Sequence, residues 1–228
     1  MQQRRKVAIP NLVVGDTVVH PADRVRSLGL LFDVTMTMEP QIANCIKSSV
    51  FHLRNIQRIK KYLNLQALKS VVHAFVTSRL DMYNATLLGL PQRQVYRLQK
   101  IQNVAARLIS GASRFTHISP VLMDLHWLPV KQRVNFKLLV LTYKALHGLA
   151  PAYISELIES HAPGRFGLRS ASTPKLLERR SRRSWGDRSL MVAAPRLWNN
   201  LPYELRQSST LHTFKTKLKT HLMQIASN

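Results

Sequence analysis

Acidic side chains are scarce in this chain: 11 Asp and Glu stand against 34 Lys and Arg, a formal net charge of +23 on 228 residues. The aspartates Asp16, Asp23, Asp33, Asp81, Asp124 and Asp187 are scattered, so no two-metal phosphoryl-transfer site can be assembled locally. Cysteine is represented by Cys45 alone. That excludes an internal disulfide framework and a Cys-rich zinc knuckle, and it fits a reducing, intracellular location, nuclear or cytoplasmic. Long apolar runs are missing as well. No stretch approaches the roughly 18 apolar residues of a membrane span, and basic Met1 to Lys6 leads into no apolar region of signal-peptide type. The nine histidines are dispersed, with His117 and His126 too far apart to share a helix face, so no metal site is expected. Nor is there a Gly-rich phosphate loop with its Lys, a Gly-x-Ser-x-Gly elbow or a metalloprotease His pair. The residues offer no catalytic constellation, no cofactor site and no small-molecule substrate.

What is present is an ordinary core under an unusual surface. Hydrophobic residues make up 45 % of the chain, ample for a core, and the length leads to an expectation of one domain or two small ones. A core wrapped in positive charge calls for a polyanion, and nucleic acid is the commonest in a cell.

The pattern along the chain predicts a mainly α fold, a multi-helix bundle behind a short β segment. Asn11 to Val14 and Thr17 to His20 are β-branched runs separated by Gly15-Asp16, a hairpin pattern. A third strand is expected from Val25 to Phe32, ending at Asp33, which makes a small, incomplete sheet. From about Glu39 the period turns helical, with Ile42, Ile46, Val50, Leu53 and Ile56 on one stripe, Thr37 as N-cap and Pro40 in the first turn. Asn64 caps a second helix, with Leu65, Leu68, Val71, Val72, Phe75, Val76 and Leu80 as its stripe. Pro91 opens a third, which Gly111 stops; a short turn of helix follows Ser119-Pro120. Pro129 and Gly148 bracket another helix, Pro151 opens a short one through Ile158, and two more are expected at Ser189 to Asn199 and Leu211 to Ile225. Between them the texture shifts to a loop or short hairpin. The expected division is a β segment over 1–36, a helical domain over 37–160 and a basic C-terminal segment over 161–228.

The cations fall into clusters. Arg54, Arg58, Lys60 and Lys61 lie on and after the first helix, while Arg93, Arg97, Lys100 and Arg107 step along one face of the third. Each is either a solvated face or a phosphate-facing ridge, and the shortage of acidic partners brings the second reading level with the first. Arg179, Arg180, Arg182 and Arg183 form the best single candidate for backbone phosphate contact, or a nuclear-localisation tract. Trp127, Trp185 and Trp198 could stack on bases. For Trp127 and Trp198, flanked by Leu and Pro, a place in the core is the expectation.

Several strings carry a resemblance. Ser78-Arg79-Leu80-Asp81-Met82-Tyr83-Asn84-Ala85 precedes Leu87-Leu88-Gly89-Leu90-Pro91, and Leu98-Gln99-Lys100-Ile101-Gln102-Asn103 leads into Val104-Ala105-Ala106-Arg107-Leu108-Ile109. His126-Trp127-Leu128-Pro129-Val130, Tyr143-Lys144-Ala145-Leu146-His147-Gly148 and Gly186-Asp187-Arg188 follow, and Ala193 to Pro202 completes the order. From about Ser27 onward the chain resembles reverse transcriptases of LINE-type (non-LTR) retrotransposons, in the region downstream of their catalytic palm. The family usually has Tyr-Cys where this chain has Met82-Tyr83.

The resemblance implies that Leu28, Gly29 and Leu30 match a primer-grip strand region, and that the helices match a thumb and C-terminal segment holding template and primer. It implies RNA or an RNA/DNA hybrid duplex as partner, read through phosphates and shape. The family's aspartate pair has no match here, so polymerase activity is not carried over, and Mg2+ belongs to the complete family enzyme only. The chain is accordingly expected to be a truncated, catalytically inactive product that binds nucleic acid. Two other expectations stand beside it: a helical protein-interaction module recruited by a host, and a translated transposon remnant without function.

Overall fold

The computed structural model describes residues 10–160, 175–182 and 186–227. Strands β1 (Leu12–Val14) and β2 (Thr17–Val19) pair antiparallel across the Gly15-Asp16 turn, and every residue of both is exposed. The expected third strand is instead a second hairpin, β3 (Arg24–Ser27) and β4 (Leu30–Asp33), paired antiparallel. Its turn residues, Leu28 and Gly29, have φ of 49° and 85°, the left-handed pair that a two-residue hairpin turn requires. The two hairpins form separate two-stranded sheets, not one incomplete sheet. Only β4 meets the core, through buried Leu30.

Helix α1 (Glu39–Ile59) starts one residue later than a Thr37 cap would place it. Met38, with φ 62°, is its N-cap and offers no side-chain bond. The Asp33 carboxylate does that work from outside. It accepts the backbone N–H of Thr37 at 2.9 Å and of Met38 at 2.8 Å, and the hydroxyls of Thr35 and Thr37 as well. Partial burial works against the carboxylate charge, but these hydrogen bonds prevail and hold its pKa near 2, from 3.8. A carboxyl with a lowered folded-state pKa stabilises above its ordinary value and loses that contribution as pH falls toward 2. The stability gap between the protein and its Asp33→Asn variant is therefore expected to be full above pH 4 and to close toward pH 2. Urea midpoints at several pH values check this, and a gap that does not vary with pH would refute it.

A 3-10 turn (Lys60–Tyr62) leads to α2 (Leu65–Val72), where the Asn64 side chain accepts the N–H of Ala67 at 2.8 Å, as its capping position predicts. The helix is not uniform. A π-helical turn (His73–Thr77) separates α2 from α3 (Ser78–Asp81). Leu68, Val72, Val76 and Leu80 are buried, while Leu65 and Phe75 of the expected stripe are exposed.

Helix α4 (Gln92–Ser110) runs from Pro91 to Gly111 as expected, and α5 (Ile118–Asp124) follows the Ser119-Pro120 signal. Helix α6 (Val130–Leu146) begins after Pro129. The helix expected to reach Ile158 closes early, as α7 (Ala152–Ser155). Beyond it come α8 (Leu190–Asn199), α9 (Tyr203–Arg206) and α10 (Leu211–Ser227), the last anchored by Phe214, Leu218 and Leu222.

The apolar packing divides within α6. Its first turns, Val130 and Val134, join α1, α2, α4 and Leu30 in one core. Leu138, Leu139 and Tyr143 join α8 and α10 in a second, with Ile158 and Leu176. The expected boundary at 160 thus cuts through residues that share a core. Trp198 is buried in the second core, and Trp127 is half-buried against the first; Trp185 lies outside the described residues. Polar side chains lock the joint. Gln102, fully buried, donates to the carbonyl of Leu128 at 2.8 Å, and Gln99 accepts the N–H of Val130 at 2.8 Å. Arg133 pairs with Asp81 and donates to the same Leu128 carbonyl.

Candidate nucleic-acid interface

Helices α1 and α4 lie side by side and run the same way. Gln94, at the start of α4, donates to Glu39 at the start of α1, and the C-terminal halves border a common groove. Amphipathic spacing explains the groove's floor: Val50 and Leu53 from α1 meet Ile101, Val104 and Leu108 from α4. The opening encloses about 800 Å³. Its rim is basic, with Arg54 and Arg58 on α1, Lys60 in the turn after it, and Arg107 on α4. Four cations drawn from two separate sequence clusters therefore border one opening.

The α4 ridge is less uniform than its spacing predicts. Arg93 and Lys100 are exposed, and the Lys100 ammonium lies 4.8 Å from the centre of the Tyr96 ring. Arg97 donates to Gln94 at 2.9 Å and borders a cleft lined also by Asp23, Asp33, Glu39 and Arg24. Arg107 turns its guanidinium onto the loop that follows α4, donating to the carbonyls of Ser113 at 3.2 Å and Thr116 at 3.1 Å. Helical spacing reports direction around the axis, but not what a long side chain finds when it bends along it.

The third basic cluster is partly engaged too. Arg179 pairs with Glu159, Arg180 and Arg182 are exposed, and Arg183 lies outside the described residues. Leu28, Gly29 and Leu30 sit at the tip and first rung of the second hairpin. Leu28 is exposed, Leu30 is buried, and the hydroxyl of Tyr83 donates to the Leu28 carbonyl, tying the turn to the end of α3.

Arg54, Arg58, Lys60, Lys61, Arg93 and Lys100 form no ion pair among the described residues. The sequence explains why. Between Glu39 and Glu156 the only acidic side chains are Asp81 and Asp124, and Asp81 is taken by Arg133. Charge without a counter-charge repels itself, and a polyanion relieves that repulsion.

Two residues escaped the sequence reading, Tyr62 and Phe115. They are 76 % and 82 % exposed, and each carries the cation of its chain neighbour over its ring, Lys61 at 4.8 Å and Arg114 at 4.6 Å. Their only signal is an aromatic directly after a base in a loop, which periodicity cannot register. No group of His, Cys, Asp or Glu among the described residues could hold a metal ion. Burial pushes the Cys45 thiol above its ordinary pKa, which leaves it a poor nucleophile. No helix among the described residues is long and apolar enough to cross a membrane. Compared with protein-family models, curated proteins and solved structures, the chain matches none.

Proposed function

We propose that this chain binds nucleic acid through the cations of α1 and α4, in the manner of the duplex-holding region of a LINE-type reverse transcriptase, and performs no catalysis by itself. The observation that carries this reading is the unpaired charge. Arg54, Arg58 and Lys60 border one groove with no carboxylate in ion-pair range among the described residues. Arg93 and Lys100 extend the charge along α4. Contacts of this kind fix position on a phosphate backbone and carry no base specificity. RNA or an RNA/DNA hybrid duplex is the proposed partner, since the A-form presents phosphates and 2′-hydroxyls across a shallow groove.

The test is a salt titration of binding to an RNA/DNA hybrid, with the protein and its Arg54→Ala/Arg58→Ala variant. Affinity is expected to fall steeply with salt. The double variant is expected to flatten the slope of log affinity against log salt by about 1.8, close to 0.9 per lost phosphate contact. Absence of binding at low salt would end the proposal. An unchanged slope would remove α1 from the interface.

A further inference from the structure

We propose that the groove between α1 and α4 is a site for unpaired nucleotides, with Tyr62 and Phe115 as stacking platforms at its end; this rests on the nucleic-acid reading above and goes beyond it. Phosphate contact explains the groove's cations but not its floor, which is apolar along both helices. A duplex shows a protein its phosphates and sugars and keeps its base faces stacked away. A single strand exposes those faces, and every base has one.

The exposed aromatics follow the groove's last lining residues, Lys60 and Gly111, closely along the chain. Tyr62 follows Lys60 of the rim by two residues. Phe115 belongs to the loop that Arg107, another rim residue, holds by the carbonyls of Ser113 and Thr116. The Arg107 guanidinium thus fixes the segment that carries the second platform. Both rings are largely open to solvent, and each has a cation already against it. An apolar, cation-rimmed groove ending in exposed rings next to cations is the arrangement that tracks a single strand without reading its sequence. Arg54, Arg58 and Lys60 take the backbone, and the floor and the two rings take the bases. Charge complementarity selects a polyanion as the occupant.

The test compares a labelled oligouridylate of about twelve nucleotides with an RNA duplex of similar length, by fluorescence anisotropy on the full chain. Tyr62→Ala/Phe115→Ala is expected to weaken oligouridylate binding by about 10- to 100-fold while changing duplex binding less than about twofold. Tyr62→Phe/Phe115→Tyr, which keeps both rings, is expected to bind as the parent does. Both positions are exposed, and circular dichroism verifies the fold. An equal loss for both oligomers, or no loss for either, overturns the stacking site and leaves the duplex reading standing. Failure of both oligomers to bind the parent protein overturns both readings. Binding of an acidic amphipathic peptide with no binding of oligouridylate assigns the groove to a protein helix and overturns the site as well.

Discussion

Phe214→Ala is expected to lower the unfolding free energy by about 3–5 kcal/mol, the usual range for removing a buried aromatic ring. Phe214 is fully buried, its ring 4.5 Å from Tyr143 and 5.7 Å from Trp198, so the cavity would open beside two aromatics that cannot easily collapse into it. The position also matters for what it fastens. Among the buried residues of α10 only Phe214, Leu218 and Leu222 reach the second core. Tyr143, which stacks on Phe214, donates its hydroxyl to the Ser208 carbonyl at 2.8 Å just ahead of that helix. Since a domain's whole stability is about 5–15 kcal/mol, such a loss would remove a large part of it. Urea unfolding followed by tryptophan fluorescence measures the change. A loss under about 1 kcal/mol would mean that α10 is held by something other than this stack.

Arg188→Ala is expected to cost about 2–4 kcal/mol, because its guanidinium satisfies three backbone carbonyls at once. It donates to Leu88 at 2.9 Å, Thr86 at 2.8 Å and Met36 at 2.7 Å. One side chain thereby joins the C-terminal segment to the turn after α3 and to the approach to α1. Burial lowers its pKa from the ordinary value and the nearby Asp33 charge opposes that, so the site favours a permanently charged guanidinium over a lysine. Arg188→Lys is expected to restore only a minor part, since one ammonium cannot fork toward three carbonyls in different directions. The path of the side chain constrains Gly89 too. A Cβ built there would stand 2.8 Å from Arg188 Cγ. Chemical denaturation of the two variants decides the matter, and a lysine variant as stable as the parent would show the clamp to be a point charge.

The helical plan was legible because its punctuation is local. Pro91 and Gly111 enclose α4, Asn64 caps α2, and the stripe Phe214, Leu218, Leu222 is the buried edge of α10. The second hairpin was misread for a related reason. Leu28, unlike Asn or Gly, does not advertise a left-handed turn, so an apolar run passed for one strand. Asp33 was missed as a cap because it acts from four and five residues away. For the candidate interface, residue type and helical face were legible, while the side chains' destinations were not. Arg107 and Arg97 spend their donors inside the fold, and Arg54, Arg58 and Lys60 do not. Arg188 lay furthest from reach. Its partners are backbone carbonyls 100 or more residues away, and a carbonyl leaves no mark in a sequence.

Helix α6 is rooted at one end in the first core and at the other in the second, with no break between Val130 and Leu146. It behaves as a common axle. Neither core can loosen fully without tugging on the other through a rigid rod, so partial opening of one half is discouraged by the integrity of its neighbour. For a chain that carries so much self-repelling charge, this turns two small cores, each marginal by its size, into one cooperative unit.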